Sequence, residues 1–189
     1  MKIIISSHCD TVFRQPYCIY RCGIIEGAND NFASMMSIGR IMDDPIWKEA
    51  NIELQFTEDE EMYMDGAKSI ATKNNPKDTL IIVLDVTERT GKHNFTIENL
   101  HEIKLSEIKT ALTGLKGKYK VVSNGTESEA WLYAEHGFSV VEIDIPVKGG
   151  LHSLNSTSRV EDHKVASEAI LALLYYFKDK DIAAIRSED

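Results

Sequence analysis

The chain has 189 residues, 43% of them hydrophobic, which is enough to bury one core and argues for a single domain rather than a disordered segment. Its formal net charge of −9 opposes the long contact with phosphate backbones that non-specific nucleic-acid binding needs, so nucleic acid is not an expected partner. No apolar run reaches the roughly 18 residues of a membrane span, and the stretch after Lys2 is too short for a signal peptide, so no membrane partner is expected either.

Strand-like and helix-like periods alternate along the chain, which predicts a layered α/β domain. Residues 3–6 read as a short apolar strand. A polar loop follows to about Gly27 and carries Cys18 and Cys22. With Cys9 these make an odd set of three without an export signal, which reads as reduced thiols in the cytoplasm. The C-x-x-x-C spacing of Cys18 and Cys22 could hold a metal or a redox pair, but no matching half-site exists, so loop thiols are the simpler reading.

Residues 30–43 place Phe32, Met35, Met36, Gly39 and Met42 at helical spacing, with Asp30 and Asn31 as cap candidates. A strand over 52–56 and a helix over 65–73 follow. Residues 80–84 form a buried-type strand, 94–97 a short strand, and 105–115 an amphipathic helix. A strand over 118–123 precedes a helix over 127–136, stopped by Gly137. The last predicted strand, 140–145, breaks at Pro146. A closing helix over 161–178 presents Val165, Ala169, Leu173 and Phe177 on one face, as core packing. No linker or repeat divides the chain.

Five residues of metal-binding type, His8, Asp30, Glu61, Asp85 and His152, each sit where a short apolar run meets a loop or turn. In an open α/β sheet such positions converge on the crevice outside the carboxyl ends of the strands. His8 and Asp10 are two apart on strand geometry and point to the same side. Asp10 can therefore hold a ligating imidazole in orientation. Cys9 between them faces the other way and reads as core. Asp30 could equally be a helix cap, and His152 an exposed histidine. The run Glu58 to Glu61 would ordinarily be a solvated face. Here it lies between apolar segments, where four carboxylates repel one another unless cations neutralise them. Asp85 ends the most apolar strand, where a buried carboxylate needs a partner. Two imidazoles and several carboxylates suit zinc, cobalt or manganese.

The segments HCDTV, GANDN, FTEDEEMYMDGA, VLDVT, GTESEA and IPVKGGLHS, in that order over residues 6–153, resemble the co-catalytic di-zinc aminopeptidase clan. The DVT, GTESEA and IPV…HS stretches are most similar to the tetrahedral aminopeptidases, and HCDTV also looks like the aminoacylase branch. The resemblance implies a three-layer α/β/α fold around a central mixed, mostly parallel twisted sheet. It implies two divalent metal ions per chain, zinc first, with cobalt or manganese as alternatives. By the same resemblance Asp30 bridges the metals, His8 and Glu61 complete one site, Asp85 and His152 complete the other, and Glu60 is the general base. The implied reaction is release of N-terminal residues from a peptide or small amide substrate.

Only 22 positions separate His8 from Asp30, where tetrahedral aminopeptidases insert a dimerisation domain. The 67 positions from Asp85 to His152 are filled by ordinary elements, where aminoacylase-type enzymes insert a lid. Residues 1–189 therefore read as one catalytic domain without either insert. Relatives carry a helix and strands before the strand that ends in His-x-Asp. This chain starts on that strand, which leaves an exposed sheet edge, so a homo-oligomer is expected to cover it or complete the pocket. Two alternatives stay open: an N-acyl amino acid deacylase or carboxypeptidase of the same clan, and a non-catalytic metal-binding relative. Ser153, Arg159 and His163, beyond the last ligand, are further candidates for substrate contact.

Overall fold

The computed structural model describes residues 1–88, 91–123, 125 and 127–187. Strand β1 (Lys2–His8) leads into a hairpin of β2 (Cys18–Arg21) and β3 (Ile24–Gly27), followed by helix α1 (Asn29–Gly39). Next come β4 (Ile52–Thr57), α2 (Asp65–Lys73), β5 (Thr79–Thr87), β6 (Phe95–His101), α3 (Leu105–Ala111) and β7 (Tyr119–Val121). The chain closes with α4 (Glu129–Glu135), β8 (Ser139–Pro146), β9 (Thr157–Arg159), α5 (Val160–Phe177) and α6 (Ile182–Ile185).

The main sheet has six strands in the order β4-β1-β5-β8-β6-β7, and a second, three-stranded sheet runs β2-β3-β9. Strands β4, β1, β5 and β8 are parallel, while β6 runs antiparallel to β8 and β7 follows β6. The expected mixed, mostly parallel sheet is what forms. Period-2 alternation splits its apolar residues between two faces. Ile3, Ile5, Leu80, Ile82, Leu84, Val141 and Ile143 face Ala33 and Ile38 of α1 and Val165, Ala169, Leu173 and Phe177 of α5. On the other face Ile4, Ile81, Val83 and Val140 meet Ala67, Ile70 and Ala71 of α2 and Ala130 and Tyr133 of α4. Three layers result. Each fully buried Leu or Phe on α5 stabilises the stack by about 1.5–3 kcal/mol relative to an exposed position. Because β5 is covered on both sides, it reads as a continuous apolar run rather than an alternating one.

Several boundaries move for local reasons. Ser128 accepts a hydrogen bond from Ala130 N and starts α4, and Gly137, at φ +79, ends it as expected. The stretch after residue 111 tightens into a 3-10 turn at Thr113–Leu115 instead of continuing α3. The predicted polar loop before Gly27 contains the β2-β3 hairpin. Its two-residue turn, Cys22 and Gly23, has positive φ at both positions, the backbone that matches strand twist. Strand β1 lies between β4 and β5, and the edges of the six-stranded sheet are β4, with Phe56 exposed, and β7. Among the described residues, no helix is long and apolar enough to cross a membrane.

Candidate metal centre

The carboxyl ends of the four parallel strands gather the expected residues. His8 is the last residue of β1, Glu60 and Glu61 lie in the turn after β4, and Asp85 lies two residues before the end of β5. His152 sits in the loop between β8 and β9, and Asp30 is at the start of α1. Asp30 has the extended backbone of a cap residue, φ/ψ of −90/106, but no side-chain capping hydrogen bond is made at this helix end. Its carboxylate instead reaches both histidines. His8 Nε2 is 3.1 Å from Asp30 Oδ1 and 3.4 Å from Asp85 Oδ1. His152 Nε2 is 3.5 Å from Asp30 Oδ2 and 3.1 Å from Glu61 Oε2.

Two three-residue groups share Asp30: His8, Asp30 and Asp85 on one side, and Asp30, Glu61 and His152 on the other. These two groups differ from the expected partition, which set His8 with Glu61 and Asp85 with His152. Parallel pairing is the reason, because β1 lies directly beside β5 and brings His8 against Asp85, while the turn after β4 and the loop after β8 arch over from opposite sides. A third group, His8, Glu60 and Glu61, places Glu60 at the same cluster.

The donor set fits divalent cations. Glu61 Oε1 is buried without a hydrogen-bond partner, and buried Asp30 Oδ1 has only its 3.1 Å contact with His8 Nε2, an arrangement that further positive charge would stabilise. Among the described residues, the ion pairs of Asp30, Glu61 and Asp85 run to His8 and His152 and to no lysine or arginine. Electrostatics records the same crowding of negative charge. Burial, then the Asp85 charge, pushes Glu60 up to about 8. Burial, then Asp30, raises Glu61, and burial raises Asp85 against the opposing pull of His8. Burial alone would lower His8, but its contacts with Asp10, Asp30 and Asp85 raise it well above the imidazole range.

Asp10 lies against both His8 and the acidic turn. Its Oδ1 is 3.5 Å from His8 Nδ1 and accepts from Glu60 N at 3.3 Å, while Oδ2 accepts from Glu61 N at 3.3 Å. One carboxylate thus fixes the imidazole and the acidic turn together. That turn folds back on itself at Asp59, whose φ is +64 and whose carbonyl accepts from Tyr63 N. It packs so closely on α2 that a Cβ at Gly66 would lie 2.7 Å from Glu58 N.

The centre opens into a cavity of about 350 Å³ lined by His8, Asp30, Glu60, Glu61, Asp85 and His152 together with Met62, Met64, Val86, Glu127 and Leu151. The last five are not among the candidates that the sequence offers. Of residues 125–130, Glu127 reaches the cavity, Glu129 is buried and accepts from Ser6 Oγ, and Thr126 lies outside the described residues. Cys9 is exposed just beyond β1, where its Sγ donates to Thr57 O, so it is not the core residue expected. No cysteine joins a possible metal group among the described residues. Ser153, Arg159 and His163 do not line the cavity. Ser153 accepts from Asn155 N, Arg159 binds Asp162, and His163 is fully buried against Ser158.

The profile of peptidase family M28 matches residues 1–168. Among solved structures the chain is similar to the aminopeptidase PepT from Bacillus cereus ATCC 10987, with a TM-score of 0.69 at 14% identity, covering 93% of this chain and 80% of that one. A TET aminopeptidase from Thaumarchaeota archaeon SCGC AB-539-E09 gives a TM-score of 0.68 at 17% identity, covering 89% of this chain and 54% of that one. The Pyrococcus horikoshii TET1 peptidase, which can assemble into a tetrahedron or a large octahedral shell, gives 0.63 at 17% identity, with 85% and 53% covered. This chain thus spans about half the length of the two TET proteins. These likenesses show a common fold. No curated protein matches the chain in sequence.

Proposed function

Because this chain belongs to peptidase family M28, in the co-catalytic zinc aminopeptidase clan, we propose that it is an aminopeptidase working with two divalent metal ions. The observation that carries the reading is the two donor groups meeting on Asp30, one oxygen toward each histidine. His8 and Asp85 would hold one ion, Glu61 and His152 the other, and Asp30 both. The N/O donors suit zinc, with cobalt or manganese as alternatives. Such ions, when bound, polarise a scissile carbonyl and bring the pKa of a water down toward about 7.

The protein's own contribution begins with Glu60. It lines the cavity but is not needed for either donor group, which leaves its carboxylate free to take a proton from the attacking water and pass it to the leaving amine. Asp10 keeps His8 and the Glu60 backbone in register for that transfer. With Glu127 also lining the cavity, its carboxylate surplus suits a free α-amino group better than an N-acyl group, which favours an aminopeptidase over a deacylase. Met62, Met64, Val86 and Leu151 offer apolar contact to a peptide side chain.

We take the chain to be a single catalytic domain in which one hairpin stands where tetrahedral relatives insert a dimerisation domain. Three free cysteines suit a reducing, cytoplasmic setting. A homo-oligomer would shield the β4 edge, and a monomeric mass by light scattering at micromolar concentration would refute that assembly. The main reading is tested by elemental analysis of purified protein with a panel of aminoacyl p-nitroanilides, before and after chelation. Two metals per chain and chelator-sensitive release are expected. Activity on N-blocked substrates alone would favour the deacylase, and chelator-resistant release would overturn the metal mechanism.

A further inference from the structure

Resting on the two-metal reading, we infer that His163, acting through Ser158 and Asn29, is a positioning residue that sets Asp30 against His152 and so builds the second metal position.

Asp30 needs outside support. Its backbone is non-helical, its Oδ1 is met only by His8 Nε2, and its two oxygens must face different histidines. Support comes from its two neighbours. On one side Asn31 Nδ2 donates to Leu84 O at 2.9 Å and to Ser7 Oγ at 3.3 Å, which ties Asp30 to the strands carrying Asp85 and His8. On the other, Asn29 is fully buried and reaches a different part of the chain. Its Nδ2 donates to Ser156 Oγ at 2.8 Å and Ser156 O at 3.0 Å, and its Oδ1 accepts from Ser158 Oγ. Ser156 and Ser158 belong to the leg that descends from the His152 loop. Asn29 therefore sets how far Asp30 stands from His152.

The direction of the hydrogen bonds assigns His163 its part. Asn29 Oδ1 can only accept, so Ser158 gives its proton there and its oxygen is left to accept from His163 Nε2 at 2.7 Å. His163 thus carries its proton on Nε2. Its Nδ1 is buried without a partner, and the residue is 0% exposed, away from any substrate. An apolar residue would occupy this buried position on α5 without leaving an orphaned nitrogen. Among the described residues, the one hydrogen bond of the His163 side chain is the one that holds Ser158, and through it Asn29, in place.

The consequence is asymmetric. Loss of this chain of donors loosens Asp30 toward His152 and Glu61, while Asn31 keeps it anchored toward His8 and Asp85. Apoprotein of the wild type, Ser158→Ala, His163→Leu and His163→Gln is titrated with zinc against a chromophoric chelator, and thermal melting is followed in parallel. The wild type should bind two zinc ions. Ser158→Ala and His163→Leu should keep the tighter site and lose about 10–100-fold in affinity at the other, the range seen when outer partners of metal ligands are removed. His163→Gln, whose amide N–H can replace Nε2–H, should recover most of that loss. A merely structural role would lower the melting temperature of all three variants without separating the two sites. The inference is overturned if Ser158→Ala binds both ions as tightly as the wild type, if both sites weaken equally, or if Gln does no better than Leu. A wild type that binds no zinc would overturn the metal reading itself, a different failure.

Discussion

Replacing His163 by glutamine should make the protein less sensitive to mild acid. Burial, with Arg40 adding repulsion, lowers the His163 pKa from 6.5 to about 4. In the unfolded chain the imidazole takes up a proton as pH falls below 6.5, whereas in the fold it stays neutral until about 4. The unfolded state thus binds more protons in that window, and stability falls as pH falls through it. Between pH 7 and pH 5 the linkage integral for these two pKa values is about 2 kcal/mol, a sizeable part of a typical 5–15 kcal/mol stability. Urea denaturation of apoprotein at pH 7 and pH 5 measures it. Other titrating groups, including the carboxylates of the metal centre, are common to both proteins, so the difference of differences isolates His163. Wild type should lose about 2 kcal/mol more than His163→Gln across the interval. Equal losses would mean that His163 is not held neutral in the fold.

Asp10→Asn keeps the shape but replaces one acceptor with a donor, so either Glu60 N or Glu61 N faces an N–H group. Zinc affinity should drop by about 10–100-fold in a chelator competition, and unchanged affinity would remove Asp10 from the orienting role. Gly66→Ala places a Cβ within 2.7 Å of Glu58 N and 2.9 Å of Thr57 Cβ, displacing the acidic turn. The expected destabilisation is about 1–3 kcal/mol by urea denaturation, with turnover falling by more than that loss explains; a wild-type melt would show that the turn and α2 can separate freely.

Long apolar periods were legible in the sequence. The strands around residues 3–6, 52–56, 80–84 and 140–145 and the closing helix all form, because buried parallel strands and amphipathic helices leave strong patterns. Short elements were not legible. The β2-β3 hairpin turns on Cys22-Gly23 rather than on an Asn-Gly or Asp-Gly pair, and β9 is three residues of Thr, Ser and Arg whose strand character comes from pairing with β3. At the site, residue type and position named the cluster. Which residues group around which oxygen of Asp30 depends on β1 lying beside β5, and sequence order does not reveal strand order. The support network was equally hidden, since Asn29 and Ser158 are 129 positions apart. The GANDN segment did hold a signal, in the two asparagines flanking Asp30.

The central claim is that Glu60 moves the proton while other residues hold the metals, and Glu60→Gln tests it most directly. The variant removes a base and keeps the size and hydrogen-bonding reach of the side chain. Metal content by elemental analysis should remain at two ions per chain, while turnover of aminoacyl p-nitroanilides falls by at least the 10²–10⁴-fold typical of losing a general base. Wild-type turnover in the metal-loaded variant would contradict the assignment.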